Sequence, residues 1–128
     1  MVYKTLLENN INANYERETF LLWEGFSPTI PFFTKDKRHT LVNNSRKLLG
    51  ITYTPDFTFD YNGWHVIIEV KGFQNDVFPY KFKMFRKYLE KIQSKKGIKF
   101  ILAEIFTKSQ LLEFIQILKV YGKATKDN

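Results

Sequence analysis

Polar and apolar positions alternate most clearly from Pro55 to Tyr61, where Asp and Thr residues share one side and aromatic residues the other. This period of two predicts a β-strand. Asn62-Gly63 follows and favours a type I′ turn, because both positions tolerate a positive φ. The mostly apolar segment from Trp64 to Lys71 predicts a second, buried strand. We therefore predict a β-hairpin near the middle of the chain.

A helix, a strand and a second helix are predicted after the hairpin. Apolar residues recur at helical spacing from about Pro79 to Ser94 and again from about Gln110 to Tyr121. The apolar run from Ile98 to Glu104 between them predicts a third strand. Thr107 and Gln110 fit a capping box at the start of the last helix.

The segment before the hairpin has a weaker pattern. Its apolar positions predict a first helix from about Asn12 to Trp23, which Gly25 ends. Thr29 to Phe33 is predicted to be a short extended segment interrupted by Pro31, and Thr34 to Arg46 a solvated polar loop. The predicted order is helix, weak strand, two hairpin strands, helix, strand and helix.

Composition narrows the class of protein. The chain has 128 residues, of which 44% are hydrophobic, and we expect one domain over residues 1–128 with a flexible tail at 123–128. The sequence has no apolar run of ~20 residues and no signal-peptide pattern, which predicts a cytoplasmic protein with no membrane partner. Cysteine is absent, so disulfides, a thiolate nucleophile and a Cys-built zinc site are excluded.

The positive charge is informative through its distribution. The formal net charge is +7, from 20 Lys and Arg against 13 Asp and Glu. By itself this total indicates a polyanion partner only weakly. Many of the basic residues, however, lie in the loop before the hairpin and on the helix after it. They would surround a small acidic centre within the hairpin.

That acidic centre follows from the hairpin register. A two-residue turn places Asp56 directly across from Glu69, with Cβ atoms roughly 4.5–5.5 Å apart, and Lys71 on the same face. Carboxylates this close repel each other unless positive charge neutralises them. Lys71 supplies one such charge, and Mg²⁺ or Mn²⁺ would supply more, because both prefer hard oxygen ligands. The constellation predicts metal-assisted hydrolysis of a phosphodiester.

These residues resemble a known family. Pro55-Asp56, followed after the turn by Glu69-Val70-Lys71, resembles the PD-(D/E)XK nuclease superfamily, and the wider stretches Ile51 to Phe57 and Glu69 to Phe73 look like its small phage-encoded, Holliday junction resolvase-like members. The resemblance implies an α/β fold with a restriction-endonuclease-like αβββαβ core, a mixed central sheet and, here, a C-terminal helix. For a phage-encoded member the location would be the cytoplasm of a bacterial host.

The resemblance also implies roles for the motif residues. Asp56 and Glu69 would ligate Mg²⁺, for which Mn²⁺ substitutes, and the backbone carbonyl of Val70 would be a third ligand. Lys71 would be the catalytic lysine of the motif. The family adds an acidic residue from its first helix, and Glu16 and Glu18 are the candidates, with Glu16 preferred.

The same resemblance implies DNA as the partner and a homodimer as the assembly. Candidate nucleic-acid-binding residues are Lys81, Lys83 and Arg86 on the helix after the motif, and Lys37 and Arg38 in the polar loop. Solvated surfaces are the alternative interpretation for all five positions. Three functions stay open: a Mg²⁺-dependent endonuclease selective for branched DNA, a nuclease that nicks or degrades duplex DNA, and a non-catalytic DNA-binding relative.

Overall fold

A computed structural model describes residues 1–71 and 78–126 of the chain. The elements in chain order are α1 (Val2–Glu8), β1 (Asn14–Tyr15), β2 (Phe20–Trp23), β3 (Phe33–Lys35), β4 (Leu41–Asn43), β5 (Ile51–Tyr53), β6 (Phe57–Tyr61), β7 (Trp64–Val70), α2 (Phe78–Lys96), β8 (Lys99–Ile105) and α3 (Lys108–Lys126). The protein is therefore mixed α/β, as predicted. Across the two described ranges, no helix is long and apolar enough to cross a membrane.

The central sheet is mixed, with the strand order β1-β6-β7-β8. Strands β6 and β7 are antiparallel and begin their pairing at Tyr61 and Trp64, while β8 runs parallel to β7. Asn62 has a φ of 47° and Gly63 a φ of 88°, which is the left-handed backbone that a type I′ turn requires. The predicted hairpin and its register are confirmed.

Strand β7 is covered on both of its faces. On one face Val66 and Ile68 are fully buried in a core that includes residues of α1 and α3. Ile67, which is 1% exposed, points to the opposite face. There Phe85 of α2 is fully buried and stacks on Tyr53. Burial on both sides explains why this strand is almost continuously apolar.

The helix predicted from Asn12 to Trp23 is wrong. The first helix is α1, which ends before Asn10 (φ 63°), and the predicted range instead contains the two strands β1 and β2. In β2 Phe20 is buried and Trp23 is exposed. A short apolar run of this kind is compatible with both periods. Pairing of β2 with β5 decides between them, because it satisfies the backbone groups of both strands.

Residues 1–128, predicted to be one domain, divide into two compact units. The first consists of Met1–Phe20 and Tyr53–Asn128, and the second of Leu21–Thr52. In the second unit β3 and β4 form an antiparallel hairpin, so the loop predicted from Thr34 to Arg46 is wrong. The Asp36 carboxylate accepts hydrogen bonds from two backbone amides of the connecting turn, which closes the hairpin.

The elements after the central hairpin agree with their predicted positions. Thr107 and Gln110 form the predicted capping box, in which the Gln110 amide donates to Thr107 Oγ1 at 3.2 Å and the Thr107 amide donates back to Gln110 Oε1 at 3.2 Å. Helix α3 continues to Lys126, beyond its predicted end at Tyr121. Helix α3 includes residues 123–126 of the segment predicted to be a flexible tail, and residues 127–128 lie outside the described ranges.

Helix α1 was not predicted, and its contribution can be measured with two adjacent leucines. Leu6 is fully buried, whereas Leu7 is 46% exposed. We expect Leu6→Ala to lower the free energy of unfolding by about 3 kcal/mol, because it leaves a cavity in the core. Leu7→Ala should cost less than about 1 kcal/mol. Urea denaturation measures both, and equal effects would contradict the observed packing of α1.

Candidate active site

The candidate site lies at the end of the central sheet where β6 begins and β7 ends. Asp56 precedes β6, and the register places it one step beyond the Phe57–Ile68 pair, opposite Glu69. The Asp56 Oδ2 atom accepts a hydrogen bond of 2.7 Å from the Val70 backbone amide. Both acidic residues are half-buried. The sheet thus holds two carboxylates side by side, away from full contact with water.

Tyr53 of β5 is hydrogen-bonded to Glu69. Its hydroxyl donates a hydrogen bond to Glu69 Oε2. Its ring is buried and stacks on Phe85 of α2, with ring centroids 4.3 Å apart. Burial and the nearby Glu69 carboxylate raise the pKa of Tyr53, so the hydroxyl keeps its proton and acts as the donor. Sequence reasoning missed this residue.

The two carboxylates disturb each other electrostatically. The pKa of Glu69 is raised to about 7, first because burial disfavours the charged form and then because the Asp56 carboxylate lies beside it. The hydrogen bond from Tyr53 acts in the opposite direction, because it favours the ionised form of Glu69. A proton or a cation near this pair would relieve the repulsion.

Lys71 directly follows β7 and contacts two residues of β8. Its side chain is 14% exposed, and its Nζ atom lies 3.5 Å from Glu104 Oε2. Its backbone amide donates to the Ile105 carbonyl at 2.9 Å. The parallel register aligns Glu104 with Glu69, so this additional acid belongs to the same end of the sheet. Sequence reasoning missed Glu104, whose position depends on pairing across the intervening helix.

Glu16 lies beside Asp56, although not on a helix as predicted. It follows strand β1 in a left-handed conformation with a φ of 47°, and its backbone amide donates to the Asp56 carbonyl at 2.9 Å. Its side chain is exposed. A hydrogen bond with Glu16, together with the charge of that carboxylate, raises the pKa of Tyr15. The chain therefore brings Glu16 to the site through strand pairing.

Glu18, the other candidate acid, has a different partner. His65 bridges two carboxylates: its Nε2 atom lies 2.7 Å from Glu18 Oε2, and its Nδ1 atom lies 2.8 Å from Asp60 Oδ1. The His65 ring also contacts the Phe100 ring edge-on. Burial lowers the pKa of His65, but the two hydrogen bonds outweigh this effect, so the pKa is raised overall. His65 ties the segment after β1 to the sheet.

The donor atoms at the site suit a hard divalent cation. In residues 1–71 and 78–126, no group of three or more His, Asp or Glu side chains is placed to hold a metal ion. Mg²⁺, however, keeps several waters and binds proteins through one or two carboxylates. Asp56 and Glu69 provide that number, and their mutual repulsion favours a cation. The pair, with the carbonyl of Val70, is thus chemically compatible with Mg²⁺ or Mn²⁺.

An open cleft of about 1100 Å³ gives access to this end of the sheet. Asp56 and Val70 line it together with residues of the first unit that include Tyr3, Asn14, Tyr15 and Arg17. The Arg17 guanidinium contributes a positive charge to a cleft that contains the Asp56 carboxylate. The cleft therefore reaches Asp56, one member of the acidic pair.

The basic candidates lie in two parts of the chain. Lys81 is half-buried on α2, while Lys83 and Arg86 on the same helix are exposed. Lys37 and Arg38 are exposed in the turn between β3 and β4, in the second unit rather than in the unit that contains the acidic pair. Gly72 and Phe73 of the motif lie outside the described residues.

Comparison with family models, with curated proteins and with solved structures finds no match to this chain. The functional interpretation therefore depends on the geometry and chemistry of the site. That geometry combines an opposed acidic pair, a largely buried lysine with its own acidic partner, and an adjacent cleft.

The bridge made by His65 predicts a pH-dependent contribution to stability. Because the folded state raises the pKa of His65 above its ordinary value of about 6.5, the contribution is complete below that pH and is lost as pH rises through the folded-state pKa. We expect His65→Gln to lower the free energy of unfolding by about 1 kcal/mol below pH 6 and by less at pH 8. Denaturation at several pH values measures this difference.

His39→Gln is the matched control, because His39 is the only other histidine of the chain and is exposed. This substitution should leave the pH dependence unchanged. A stability difference between wild type and His65→Gln that grows with increasing pH would contradict the assignment.

Proposed function

We propose that the protein is a metal-dependent DNA endonuclease that hydrolyses phosphodiester bonds at the site formed by Asp56, Glu69 and Lys71. The observation that carries the proposal is the opposed acidic pair, in which the Val70 amide holds Asp56 at 2.7 Å across from Glu69. Two half-buried carboxylates side by side reduce stability unless they are neutralised. A cation-binding role accounts for their position better than a purely structural role does.

A restriction-endonuclease-like core is part of this proposal. The order of the elements supports it: α1 precedes the sheet, β6 and β7 form the hairpin with the acidic pair, α2 crosses over to the parallel strand β8, and α3 follows. The motif residues also stand at the end of β7, where a crossover connection begins. In an open α/β sheet, such strand ends are common places for ligand sites.

Each residue of the site has a proposed role. Asp56, Glu69 and the Val70 carbonyl would hold Mg²⁺ or Mn²⁺, which when bound supplies Lewis-acid stabilisation of the charge that develops on the phosphoryl oxygens. Lys71 offsets part of the same charge through its ammonium group. Its ion pair with Glu104 and the hydrogen bond from Tyr53 to Glu69 orient the two reactive side chains.

The proposed contacts with the substrate are made by charged side chains. Glu16 would contribute a further carboxylate next to Asp56, because its backbone is bonded to that residue. Lys81, Lys83 and Arg86 would contact DNA phosphates from α2, and such contacts supply affinity independent of sequence. Cutting two strands symmetrically would require two copies of the chain, so a homodimer is included in the proposal.

Substitution at the acidic pair tests the proposed chemistry. Asp56→Asn and Glu69→Gln keep the size of each side chain but remove the charge that would attract the cation. We expect each variant to lower the rate of Mg²⁺-dependent DNA cleavage by at least about 100-fold while DNA binding is retained. A gel assay with a four-way junction, a flap, a linear duplex and a single strand measures the rates and identifies the preferred substrate.

Glu113→Gln is the matched control, since Glu113 is exposed on α3 and the change removes the same charge. It should leave cleavage unchanged. Cleavage that survives both Asp56→Asn and Glu69→Gln would overturn the proposal. Binding of DNA without cleavage under Mg²⁺ or Mn²⁺ would instead favour a non-catalytic DNA-binding protein.

A further inference from the structure

The β3–β4 hairpin, with its flanking residues up to 46, presents an unusual surface that we call the basic hairpin (residues 33–46). Its register pairs Phe33 with Asn43 and Lys35 with Leu41, so these four side chains share one face. Phe33 is 60% exposed and Leu41 is 70% exposed. An aromatic ring, an aliphatic side chain and a lysine therefore stand together in water.

The basic hairpin also borders a groove. This groove has a volume of about 710 Å³, and among the residues that line it are Thr34, Lys35, Lys37, Val42 and Arg46. Asp36 is the one acidic residue that lines it. Three cationic side chains thus face a space that can hold an extended chain of anionic groups.

The acidic residue of the basic hairpin, Asp36, is hydrogen-bonded to the backbone. Asp36 Oδ1 accepts hydrogen bonds from the amides of Arg38 at 2.8 Å and Thr40 at 3.0 Å. These bonds close the turn. The Asp36 carboxylate therefore shapes the hairpin. Its single negative charge is outnumbered by the charges of Lys35, Lys37, Arg38 and Arg46, which make the surface potential positive.

The exposed apolar residues do not form a core that would stabilise the second unit. Every residue from Leu21 to Thr52 is exposed or half-buried, so the unit has no fully buried side chain of its own. A two-stranded hairpin without a core is marginally stable. Apolar residues exposed together on such a hairpin indicate a surface for a partner.

The positive charge of the basic hairpin favours one kind of partner over another. A second copy of the hairpin would bring like charges together, which disfavours self-association through this face. Aromatic side chains interleaved with cations are instead the combination that binds a nucleic-acid single strand: the cations follow the phosphates, and unpaired bases stack on the rings. In duplex DNA the bases are already stacked, so the ring would have no base to contact.

We propose that the basic hairpin docks a single strand of nucleic acid, with phosphates in the groove beside Lys35, Lys37 and Arg46 and an unpaired base on Phe33. The choice of nucleic acid among polyanions rests on the proposed nuclease function. The hairpin thereby makes the protein prefer DNA with an unpaired segment over continuous duplex.

Binding without cleavage tests the inference. A fluorescently labelled oligo-dT and a duplex of equal length are titrated with the protein in EDTA, at several salt concentrations, and binding is followed by anisotropy. The double variant Lys35→Gln/Arg46→Gln should bind oligo-dT at least about tenfold more weakly, with a slope of log K against log salt smaller by about 1.4. Phe33→Ser should weaken oligo-dT binding at least about fivefold and leave duplex binding unchanged.

The matched control removes the same charge from another surface. Lys108→Gln/Lys119→Gln changes two exposed lysines of α3 and should alter binding to oligo-dT by less than the hairpin double variant. Circular dichroism of every variant verifies that the fold is intact. Equal oligo-dT binding by wild type and the folded Lys35→Gln/Arg46→Gln variant would overturn the inference.

Two further outcomes separate the inference from the function on which it rests. Asp56-dependent cleavage with unaltered binding by the hairpin variants would overturn the docking inference alone. Weakened oligo-dT binding by the hairpin variants with cleavage that does not depend on Asp56 would overturn the nuclease proposal alone. If Phe33→Ser changes the mass in sedimentation and leaves oligo-dT affinity unchanged, the surface binds a second copy and the docking inference is wrong.

Discussion

The register of the β6–β7 hairpin is the constraint on which the rest of the site depends. Asn62 and Gly63 adopt positive φ values, and the two-residue turn they form sets every pair from Tyr61–Trp64 onward. A slip of one residue would turn Glu69 toward the core of α1 and α3 and turn Ile68 toward the face that α2 covers. The tight turn thus determines both the burial of β7 and the meeting of its acid with Asp56.

Neighbouring elements keep the Asp56 and Glu69 carboxylates together, although the two like charges repel each other. The Val70 amide bonds to Asp56, the Tyr53 hydroxyl bonds to Glu69, and Glu104 pairs with Lys71. These partners come from the hairpin itself, from β5 and from β8. Burial, and after it the charge of the Asp56 carboxylate, still raise the pKa of Glu69 to about 7. The pair is chemically compatible with a cation, as the proposed function requires, because a positive charge would reduce the cost of keeping two acids together.

The two units differ in what they bury. The first packs helices on both faces of a four-stranded sheet and contains the acidic site, whereas the second exposes apolar and cationic side chains on a small hairpin. A unit without a core contributes little stability, which is consistent with the proposed contact between its hairpin and a partner. Exposed cationic side chains lie both on the α2 surface of the first unit and on the basic hairpin of the second.

The sequence by itself determined the features that depend on local periodicity and turn chemistry: the central hairpin, α2, β8, the capped start of α3, and the opposition of Asp56 and Glu69. It did not determine the segment before them, where short apolar runs satisfy both helical and strand periods and α1 is buried through its packing against α3 and the core. Only the tertiary structure revealed Tyr53 and Glu104 at this end of the sheet, and it placed the predicted Glu16 beside Asp56 through strand pairing instead of on a helix. Their positions depend on strand pairing and packing between residues distant in sequence, and local patterns carry no information about such registers.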